Sequence, residues 1–314
     1  MVVTHGTIRQ GSGPHALTIG NFDGVHLGHR AMLERVVAKG REIGAASCVL
    51  TFEPHPREFF TAQVAPARLT RLRDKVALLA DAGIQRMHVA HFDAAFAALD
   101  AGRFIGEVLV RGLQARWLLV GRDFRFGARR AGDFALLEAE AQRQGFTLEA
   151  MPDVMHEGER VSSSAVRAAL AAGDLERAAR LLGRRYSIGG RVAHGRRLGR
   201  SLGFPTANIA LRRQPPLAGI YVVECAGADP DAPLRRVAGV ASLGRRPTVV
   251  ADGAPLLEVH LLEPVGDLYG RHLDVRFLRK LRDEEKYDGL DSLRAAIARD
   301  VERAREHFSL TTHG

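Results

Sequence analysis

The chain carries the stretch Gly20-Asn21-Phe22-Asp23-Gly24-Val25-His26-Leu27-Gly28-His29, which follows the apolar run Ala16-Leu17-Thr18-Ile19. The apolar run predicts a buried strand, and the spacing of Leu33, Val36 and Val37 predicts a helix after the stretch. The stretch is therefore a glycine turn between a strand and a helix, which is the repeating unit of α/β domains.

This turn has the composition of a phosphate-binding site. The first turn of a helix presents unpaired backbone N–H groups and the positive end of the helix dipole, which together favour an anion. His26 and His29 are predicted to share one helix face and to donate hydrogen bonds to phosphate oxygens. Such turns also occur without a ligand, so this pattern alone leaves a structural role open. As an ATP site, the turn would use Gly20, Phe22, Asp23, Gly24 and Gly28.

Length and composition restrict the class of protein. With 314 residues, of which 46% are hydrophobic and 26% charged, the chain is long enough for two globular domains. No apolar run could span a membrane and the N-terminus lacks the apolar core of a signal peptide, so we expect a cytoplasmic protein without a membrane partner. Cys48 and Cys225 are predicted to be buried thiols rather than a disulfide or a metal site.

The formal net charge of +9 favours polyanionic partners, and both nucleotides and nucleic acid qualify. Aromatic residues make up only 6% of the chain and form no platform for single strands. We therefore expect no dedicated nucleic-acid partner.

From Leu17 to about Met151, apolar runs alternate with amphipathic helical patterns. This alternation predicts a mostly parallel sheet with helices on both faces, in which ligands bind beyond the carboxyl ends of the strands. The predicted strands are residues 16–20, 47–52, 87–91, 116–120 and 146–151, and the predicted helices include residues 72–82, 103–112 and 134–144.

Unusual polar residues follow three of these strands. After the histidine turn of the first strand, the second strand leads into residues 51–57, where Pro54 and Pro56 predict a stiff loop and exclude a helix. The fourth strand leads into an aromatic and arginine-rich segment that contains Asp123 and Phe124. Because the three strand ends are predicted to meet at one edge of the sheet, we expect a binding site there.

Ser162, Ser163 and Ser164 precede an alanine-rich helical pattern that ends at Gly173. Serines in this position commonly cap a helix. Their hydroxyls, the helix N–H groups and Arg167 can also form a second anion site. A nucleotidyl transfer needs two phosphates held in line, so we expect two such anion sites in the domain.

From Tyr186 onward, short strand patterns with glycine and proline turns replace the helices. They predict a small closed antiparallel barrel, against which a helix from about Leu290 to His307 packs. The predicted strands are residues 186–192, 206–211, 220–225, 236–241, 256–262 and 273–278. We place the domain boundary near Arg184, which gives domains of residues 1–184 and 185–314.

The second domain has a phosphate signature of its own. Gly195, Gly199 and Gly203 are spaced four apart in an arginine-rich segment that leads into Thr206 and Asn208. A threonine hydroxyl and an asparagine amide supply the hard oxygen ligands that Mg²⁺ on a phosphate chain prefers. The segment is therefore predicted to bind the phosphates of ATP.

A carboxylate lies on one of the predicted barrel strands. The alternation of residues 256–262 places Glu258 and His260 on one face of the strand. An acid in this position is often only solvated. Near a glycine loop and a magnesium site, however, Glu258 could accept a proton from an attacking hydroxyl.

These motifs in this order resemble those of a known family. The H-x-G-H turn resembles the nucleotidyltransferase superfamily, whereas the G-F-P-T-A-N, E-V-H-L-L and D-L-Y-G motifs, which begin at residues 203, 258 and 267, resemble the riboflavin kinase module. Joined to V-S-S-S-A-V-R at residues 161–167, they make the chain resemble the bacterial bifunctional riboflavin kinase/FAD synthetases along nearly its whole length. The resemblance implies a Rossmann-like nucleotidyltransferase domain followed by the kinase barrel.

The resemblance also implies two reactions that use Mg²⁺ and ATP. Riboflavin would be phosphorylated to FMN in the C-terminal domain, and FMN would be adenylylated to FAD with release of pyrophosphate in the N-terminal domain. By matching motif, the adenylylation site would contain His26, His29, Asp123, Ser162, Ser163, Ser164 and Arg167, with Phe124 beside Asp123 at the flavin. The kinase site would contain Thr206, Asn208 and Glu258.

Two positions depart from the family pattern, because Ser164 replaces a threonine and Ser242 replaces an asparagine. Two other functions stay open. The chain could be an adenylyltransferase for another phosphate-bearing acceptor with an accessory barrel, or a nucleic-acid-binding protein on a degenerate nucleotidyltransferase fold. Salt-sensitive duplex binding without ATP turnover would favour the nucleic-acid-binding protein.

Overall fold

The computed structural model describes residues 1–6, 13–61, 65–195, 199, 202–245 and 255–311. Its contacts divide the chain into two compact units, residues 1–66 with 70–163, and residues 67–69 with 164–314. This division groups residues 164–184 with the second unit, whereas the sequence places them in the first domain. The boundary near Arg184, as the limit of a functional domain, stays a prediction.

The first unit is built on one parallel sheet. Its strands are β1 (Val2–His5), β2 (His15–Ile19), β3 (Ala46–Glu53), β4 (Arg86–His91), β5 (Ala115–Gly121) and β6 (Thr147–Met151). They lie in the order β1-β4-β3-β2-β5-β6, and every neighbouring pair is parallel. The predicted parallel α/β architecture is confirmed, and the carboxyl ends of all six strands lie at one edge of the sheet.

Helices cover both faces of this sheet. They are α1 (Leu27–Glu42), α2 (Pro56–Phe60), α3 (Leu72–Asp81), α4 (Ala94–Ala97), α5 (Ala101–Arg103), which continues as a π-helical segment (Phe104–Gly112), and α6 (Phe134–Gln144). Leu17 and Leu118 pack on one face with the π-helical segment, and Val49 and Trp117 pack on the other face with α1 and α3. The strands are therefore buried on both faces, which explains why they are nearly continuous apolar runs.

Helix α2 corrects the prediction that the two prolines exclude a helix. Pro56 is its first residue, where a missing N–H group breaks no intrahelical hydrogen bond. His55 caps this helix, because its Nδ1 accepts a hydrogen bond from Arg57 N at 3.1 Å while His55 N donates to Glu58 Oε2 at 3.2 Å. Proline at the first helical position favours the start of a helix, and the sequence argument treated it as an interior position.

Two short strands, β7 (Met155–His156) and β8 (Glu159–Arg160), form an antiparallel hairpin after β6. Two helices, α7 (Ser163–Ala171) and α8 (Leu175–Leu182), follow. Helix α8 buries Leu175, Ala178, Leu181 and Leu182 on one side.

The second unit is a closed barrel of six antiparallel strands, as predicted. The strands are β9 (Ser187–Ala193), β10 (Ala207–Ala210), β11 (Gly219–Ala226), β12 (Val237–Arg245), β13 (Pro255–Leu261) and β14 (His272–Arg282). They close in the order β10-β13-β12-β11-β14-β9. Tyr221, Leu257, Val259 and Phe277 are fully buried and fill the interior.

The C-terminal helix α9 (Leu290–Thr311) covers part of the outer face of the barrel. Its Val301 and Ala304 pack with Ile220, Val222 and Val240 of β11 and β12. This cluster makes the helix part of the barrel's stability, as predicted.

Cys48 and Cys225 are free, buried thiols, as the sequence predicts. Burial raises the pKa of each thiol to about 12, so neither forms the reactive thiolate at neutral pH. Among the helices of the described ranges, none is both long and apolar enough to cross a membrane.

Candidate active sites

The turn between β2 and α1 holds a strained backbone. Phe22 and Val25 have positive φ angles of 47° and 41°, and Gly24 has a φ of 90°. A positive φ is rare for a β-branched residue such as Val25 and costs about 1–3 kcal/mol. Both Phe22 and Val25 are buried in the core between the sheet and α1 and α3, and this packing holds the turn in place.

Hydrogen bonds to Thr70, two residues before α3, fix the same turn. Asp23 Oδ1 accepts hydrogen bonds from Thr70 N at 2.9 Å and from Thr70 Oγ1 at 3.2 Å. In return, Gly24 N donates to Thr70 Oγ1 at 3.1 Å. The side chain of Asp23, predicted to bind ATP, is thus buried and holds the turn. Thr70 was not singled out in the sequence because it belongs to no motif.

The two histidines of the turn are stacked on one another. His26 is the N-cap of α1, and its Nδ1 accepts a hydrogen bond from His29 N at 3.2 Å. The two ring centroids are 3.7 Å apart, with 15° between the ring planes. Burial, the neighbouring His26 and the charge of Lys75 hold the pKa of His29 well below its usual value. His29 is therefore neutral at pH 7 rather than a cation.

The serine motif meets the histidine turn within the first unit. Ser163 Oγ donates a hydrogen bond to the backbone oxygen of Asp23 at 2.9 Å. A Cβ atom on Gly28 would lie 3.5 Å from the carbonyl oxygen of Val161 and 3.2 Å from the ring of His26. The structure therefore brings together two motifs that are more than 130 residues apart, as a joint site requires.

Other residues of the predicted adenylylation site are placed as follows. Ser162 precedes α7 and is half-buried, and Ser164 and Arg167 lie in α7 and belong to the second unit. Arg167 Nε donates to the carbonyl oxygen of Ala67 at 2.7 Å. Gly20 directly follows β2, where a Cβ atom would lie 3.1 Å from the ring of Phe22.

A chain of aromatic rings lies at the carboxyl ends of β3, β4 and β5. We call it the phenylalanine cluster, and its rings contact one another at centroid distances of 5.2–6.2 Å. Its members are Phe52, Phe59, Phe60, Phe92, Phe96, Phe104, Phe124 and Phe126. Phe59 and Phe60 are 40% and 64% exposed, which is unusual for such large apolar side chains. Of these residues, the sequence argument singled out only Phe124.

Asp123 lies next to this cluster in sequence. Its carboxylate is 82% exposed and is 3.8 Å from the Arg160 guanidinium, which also contacts Asp153 at 2.8 Å. Phe124 stacks on Phe126 with ring centroids 5.6 Å apart. Both predicted flavin residues therefore lie at the carboxyl edge of the sheet.

The predicted kinase residues form a row across three barrel strands. Asn208 of β10 lies directly opposite Glu258 of β13, and Glu258 lies directly opposite Ser242 of β12. Directly paired residues project their side chains from the same face of a sheet. Ser242 Oγ donates to Glu284 Oε1 at 3.4 Å. The outer face of the barrel therefore carries an amide, a carboxylate and a hydroxyl side by side.

The predicted glycine loop contacts this row where it is described. A Cβ atom on Gly195 would lie 2.5 Å from Asn208 Nδ2, so the Asn208 amide would have to move to admit it. A Cβ atom on Gly199 would clash with the carbonyl oxygen of Phe204 and lie 3.3 Å from Thr206 Oγ1. Gly203 has a φ of 88°. The arginines of this loop at residues 196–197 and 200, and the segment 246–254, lie outside the described residues.

Comparison with known proteins identifies a family for each part of the chain. A family model described as FAD synthetase matches residues 9–165, and one described as riboflavin kinase matches residues 182–308. A protein from Escherichia coli (strain K12) named bifunctional riboflavin kinase/FMN adenylyltransferase is 50% identical over 296 residues, which are 94% of this chain and 93% of that relative. The protein of the same name from Haemophilus influenzae is 45% identical and covers 94% of both chains.

A solved structure has the same fold over the whole chain. It is described as a macrolide-efflux protein from Streptococcus pneumoniae, and it aligns with a TM-score of 0.78 and 25% sequence identity. The alignment covers 97% of this chain and 99% of that one.

A nucleotidyltransferase-type sheet followed by a flavokinase barrel defines a two-module enzyme of flavin nucleotide synthesis. The chain belongs to the family of bifunctional riboflavin kinase/FMN adenylyltransferases. The resemblance drawn from the motifs is thereby confirmed.

Proposed function

We propose that this chain catalyses two ATP-dependent steps, phosphorylation of riboflavin to FMN and adenylylation of FMN to FAD with release of pyrophosphate. The observation that carries the proposal is the presence of two different candidate sites. One is the strained turn with its stacked histidines, and the other is the row of Asn208, Glu258 and Ser242 on the barrel. We assign the steps to the predicted domains, residues 185–314 and 1–184 respectively.

In the adenylylation step, the FMN phosphate attacks the α-phosphorus of ATP and pyrophosphate leaves. His26 and His29 donate hydrogen bonds to phosphate oxygens, and the backbone N–H groups of the turn around Gly24 and Gly28 bind the phosphate chain. Ser162, Ser163, Ser164 and Arg167 are proposed as the second group of phosphate ligands.

For the flavin of this step, we propose the exposed end of the phenylalanine cluster. Phe59 and Phe60 offer flat apolar surface at the carboxyl edge of the sheet, where a planar isoalloxazine ring can stack. Asp123 and Phe124 are proposed on the same edge. Changing Phe60 to Ala should weaken the quenching of FMN fluorescence, whereas changing the exposed Leu234, which belongs to the second unit, should not.

In the kinase step, Glu258 accepts the proton of the riboflavin hydroxyl as that oxygen attacks the γ-phosphorus of ATP. Gly195, Gly199 and Gly203 lie around the phosphate chain. The oxygens of Thr206 and Asn208 fit Mg²⁺, which would supply charge neutralisation on the ATP phosphates. Within the described ranges no cluster of three or more histidine, cysteine or acidic residues could hold a metal, so the remaining ligands would come from ATP and water.

Two further properties are proposed. We expect a cytoplasmic location, because free buried thiols are typical of reducing compartments. We expect no nucleic-acid partner, and salt-dependent binding of a labelled duplex would contradict this.

The function is tested by incubating the pure protein with riboflavin and Mg-ATP and separating the flavins by chromatography. We expect FMN and then FAD, together with ADP and pyrophosphate. Supplied FMN should give FAD without ADP. If pantetheine phosphate or nicotinate mononucleotide were adenylylated and FMN were not, the chain would be an adenylyltransferase for another acceptor.

A further inference from the structure

A histidine side chain holds the backbone carbonyl of Pro205. His260 Nδ1 lies 2.9 Å from the Pro205 oxygen. Because a carbonyl oxygen only accepts hydrogen bonds, Nδ1 carries the hydrogen and donates it. The ring of His260 meets the ring of Phe204 edge-on, with the centroids 5.4 Å apart and 86° between the ring planes. His260 follows Glu258 by two residues on β13, so both side chains lie on the same face of the strand.

The hydrogen bond from His260 determines where the next residue, Thr206, lies. The proline ring fixes the φ angle of Pro205, so the direction of its carbonyl depends on the ψ angle alone. Holding the oxygen fixes ψ, and because the peptide bond is planar, it also fixes the backbone N and Cα of Thr206. On the other side, the carbonyl oxygen of Thr206 accepts a hydrogen bond from Asn208 Nδ2 at 3.3 Å. Side chains therefore hold both peptide groups of Thr206.

Thr206 needs this support because it lies just beyond the end of a strand. In the described residues, the pairing of β10 with β13 ends at Ala207 and Val259. Pro205 has no N–H group with which to extend the ladder. Gly199 lies against the same residue, since a Cβ atom on Gly199 would be 3.3 Å from Thr206 Oγ1. The Thr206 hydroxyl is therefore close to the glycine segment that is proposed to bind the phosphates of ATP.

We propose that His260 is a positioning residue of the kinase, which holds the Thr206 hydroxyl where it can bind the Mg²⁺ of Mg-ATP. This role rests on the proposed kinase function of residues 185–314. Metal ligands keep their orientation through hydrogen-bonded neighbours, and loss of such a neighbour typically weakens metal binding about 10- to 100-fold. His260 acts through Thr206 and needs no contact with the substrate.

The test compares variants that keep or remove the N–H group of His260. Asparagine places an amide N–H at the position of Nδ1, whereas phenylalanine keeps a ring and removes the donor. Binding of ADP to the full chain is measured by calorimetry, once with Mg²⁺ and once with EDTA. His260→Phe should weaken the binding of Mg-ADP about tenfold or more and leave the binding of metal-free ADP nearly unchanged. His260→Asn should retain most of the affinity for Mg-ADP.

A double variant separates an action through Thr206 from a general effect on the barrel. Thr206→Val removes the hydroxyl, so adding His260→Phe should cause no further loss of Mg-ADP affinity. The Mg²⁺ concentration for half-maximal riboflavin phosphorylation should rise in His260→Phe and be the same in Thr206→Val and the double variant. The nucleotide site of the first unit is identical in these proteins, so differences between them report the barrel. His272→Phe, which changes another half-buried histidine on a barrel strand, should resemble the wild type.

Three outcomes would overturn the proposal. They are unchanged Mg-ADP affinity in His260→Phe, an equal loss of Mg-ADP and metal-free ADP binding, and a further loss when His260→Phe is added to Thr206→Val. If His260→Phe does not fold, His260→Gln replaces it, because the glutamine amide lies at the position of Nε2. His260→Gln should bind Mg-ADP less tightly than His260→Asn, and equal affinities would also overturn the proposal.

Failure of the proposed function gives a different result. A wild type that binds Mg-ADP but forms no FMN would refute the kinase assignment. The Mg-ADP affinities of the single and double variants would still decide whether His260 positions Thr206.

Discussion

Glu258 and Asn208 face one another across two antiparallel strands of the barrel. Their Cβ atoms in such a pair are about 5 Å apart, and both side chains project from the outer face. Backbone hydrogen bonds between β10 and β13 therefore hold the proposed proton acceptor beside the proposed magnesium ligand. Sites built on strands are more rigid than sites built on loops, which suits a reaction that depends on alignment.

Changing Glu258 to Gln should nearly abolish riboflavin phosphorylation. A neutral hydroxyl is a poor nucleophile without a proton acceptor, and such losses are about 100- to 10,000-fold. Adenylylation of supplied FMN should persist. Glu224→Gln, which changes another half-buried carboxylate on a barrel strand, should be nearly silent. Kinase activity within a few-fold of wild type in Glu258→Gln would exclude it as the base.

Changing His29 to Ala should reduce FAD synthesis by about 100- to 1,000-fold, mainly in turnover, because it removes one preorganised donor. Riboflavin phosphorylation should not change, because the kinase residues lie in the barrel. Both half-reactions should be assayed on one preparation. An equal loss of both would indicate misfolding, and unaltered FAD synthesis would exclude His29 from the mechanism.

Changing Gly195 to Ala should impair the kinase at least tenfold, because the new Cβ atom would displace the amide of Asn208. The control is Gly266→Ala, where a Cβ atom meets nothing within 4 Å. Titrating Mg²⁺ in the kinase assay should show a raised requirement in the Gly195 variant alone. The same requirement in both variants would argue against Asn208 as a magnesium ligand.

The free energy of unfolding should fall as the pH drops below about 6.5. Burial lowers the pKa of His15, His29 and His88, so the unfolded chain binds more protons than the folded one in that range. Each histidine contributes at most about 1.4 kcal/mol per pH unit, and the effect is absent above about pH 7.5. Between pH 7.5 and 5.5, the free energy of unfolding measured with urea should fall less in His15→Asn than in the wild type. An equal fall in both proteins would exclude His15 as a cause of the pH dependence.

Residues 185–314 expressed alone should fold and phosphorylate riboflavin, since the described kinase residues all lie within them. A fragment of residues 164–314 should resist urea better, because α8 buries an apolar side and lies against β14. Circular dichroism and the kinase assay on both fragments check this. If the longer fragment were active and the shorter one inactive, the functional boundary would lie near residue 164, where the contacts divide the chain, rather than near Arg184.

The sequence predicted those strands whose apolar residues are buried in the folded chain. The buried strands around Leu17, Val49 and Leu118 and all six barrel strands are found within a few residues of their predicted limits. Strand β1 was missed, because three of its four residues are exposed and it has no apolar alternation. Exposed edge strands depend on a neighbour for their hydrogen bonds, and a local pattern does not contain that neighbour.

Sequence motifs pointed to the candidate residues His29, Asn208 and Glu258, and their roles stay predictions. The partnership of Thr70 with Asp23 could not be predicted, because it joins residues 47 positions apart that only the folded chain brings together.

The filled interior of the barrel has a consequence for how this enzyme can change. Tyr221, Leu257, Val259 and Phe277 occupy the space in which larger barrels hold a ligand, so the kinase substrates are left to the outside and its loops. Mutations inside the barrel should therefore change its stability, whereas mutations around Asn208, Glu258 and Ser242 on the outer face should change which alcohol is phosphorylated. Selection or engineering can act on the two properties at different positions.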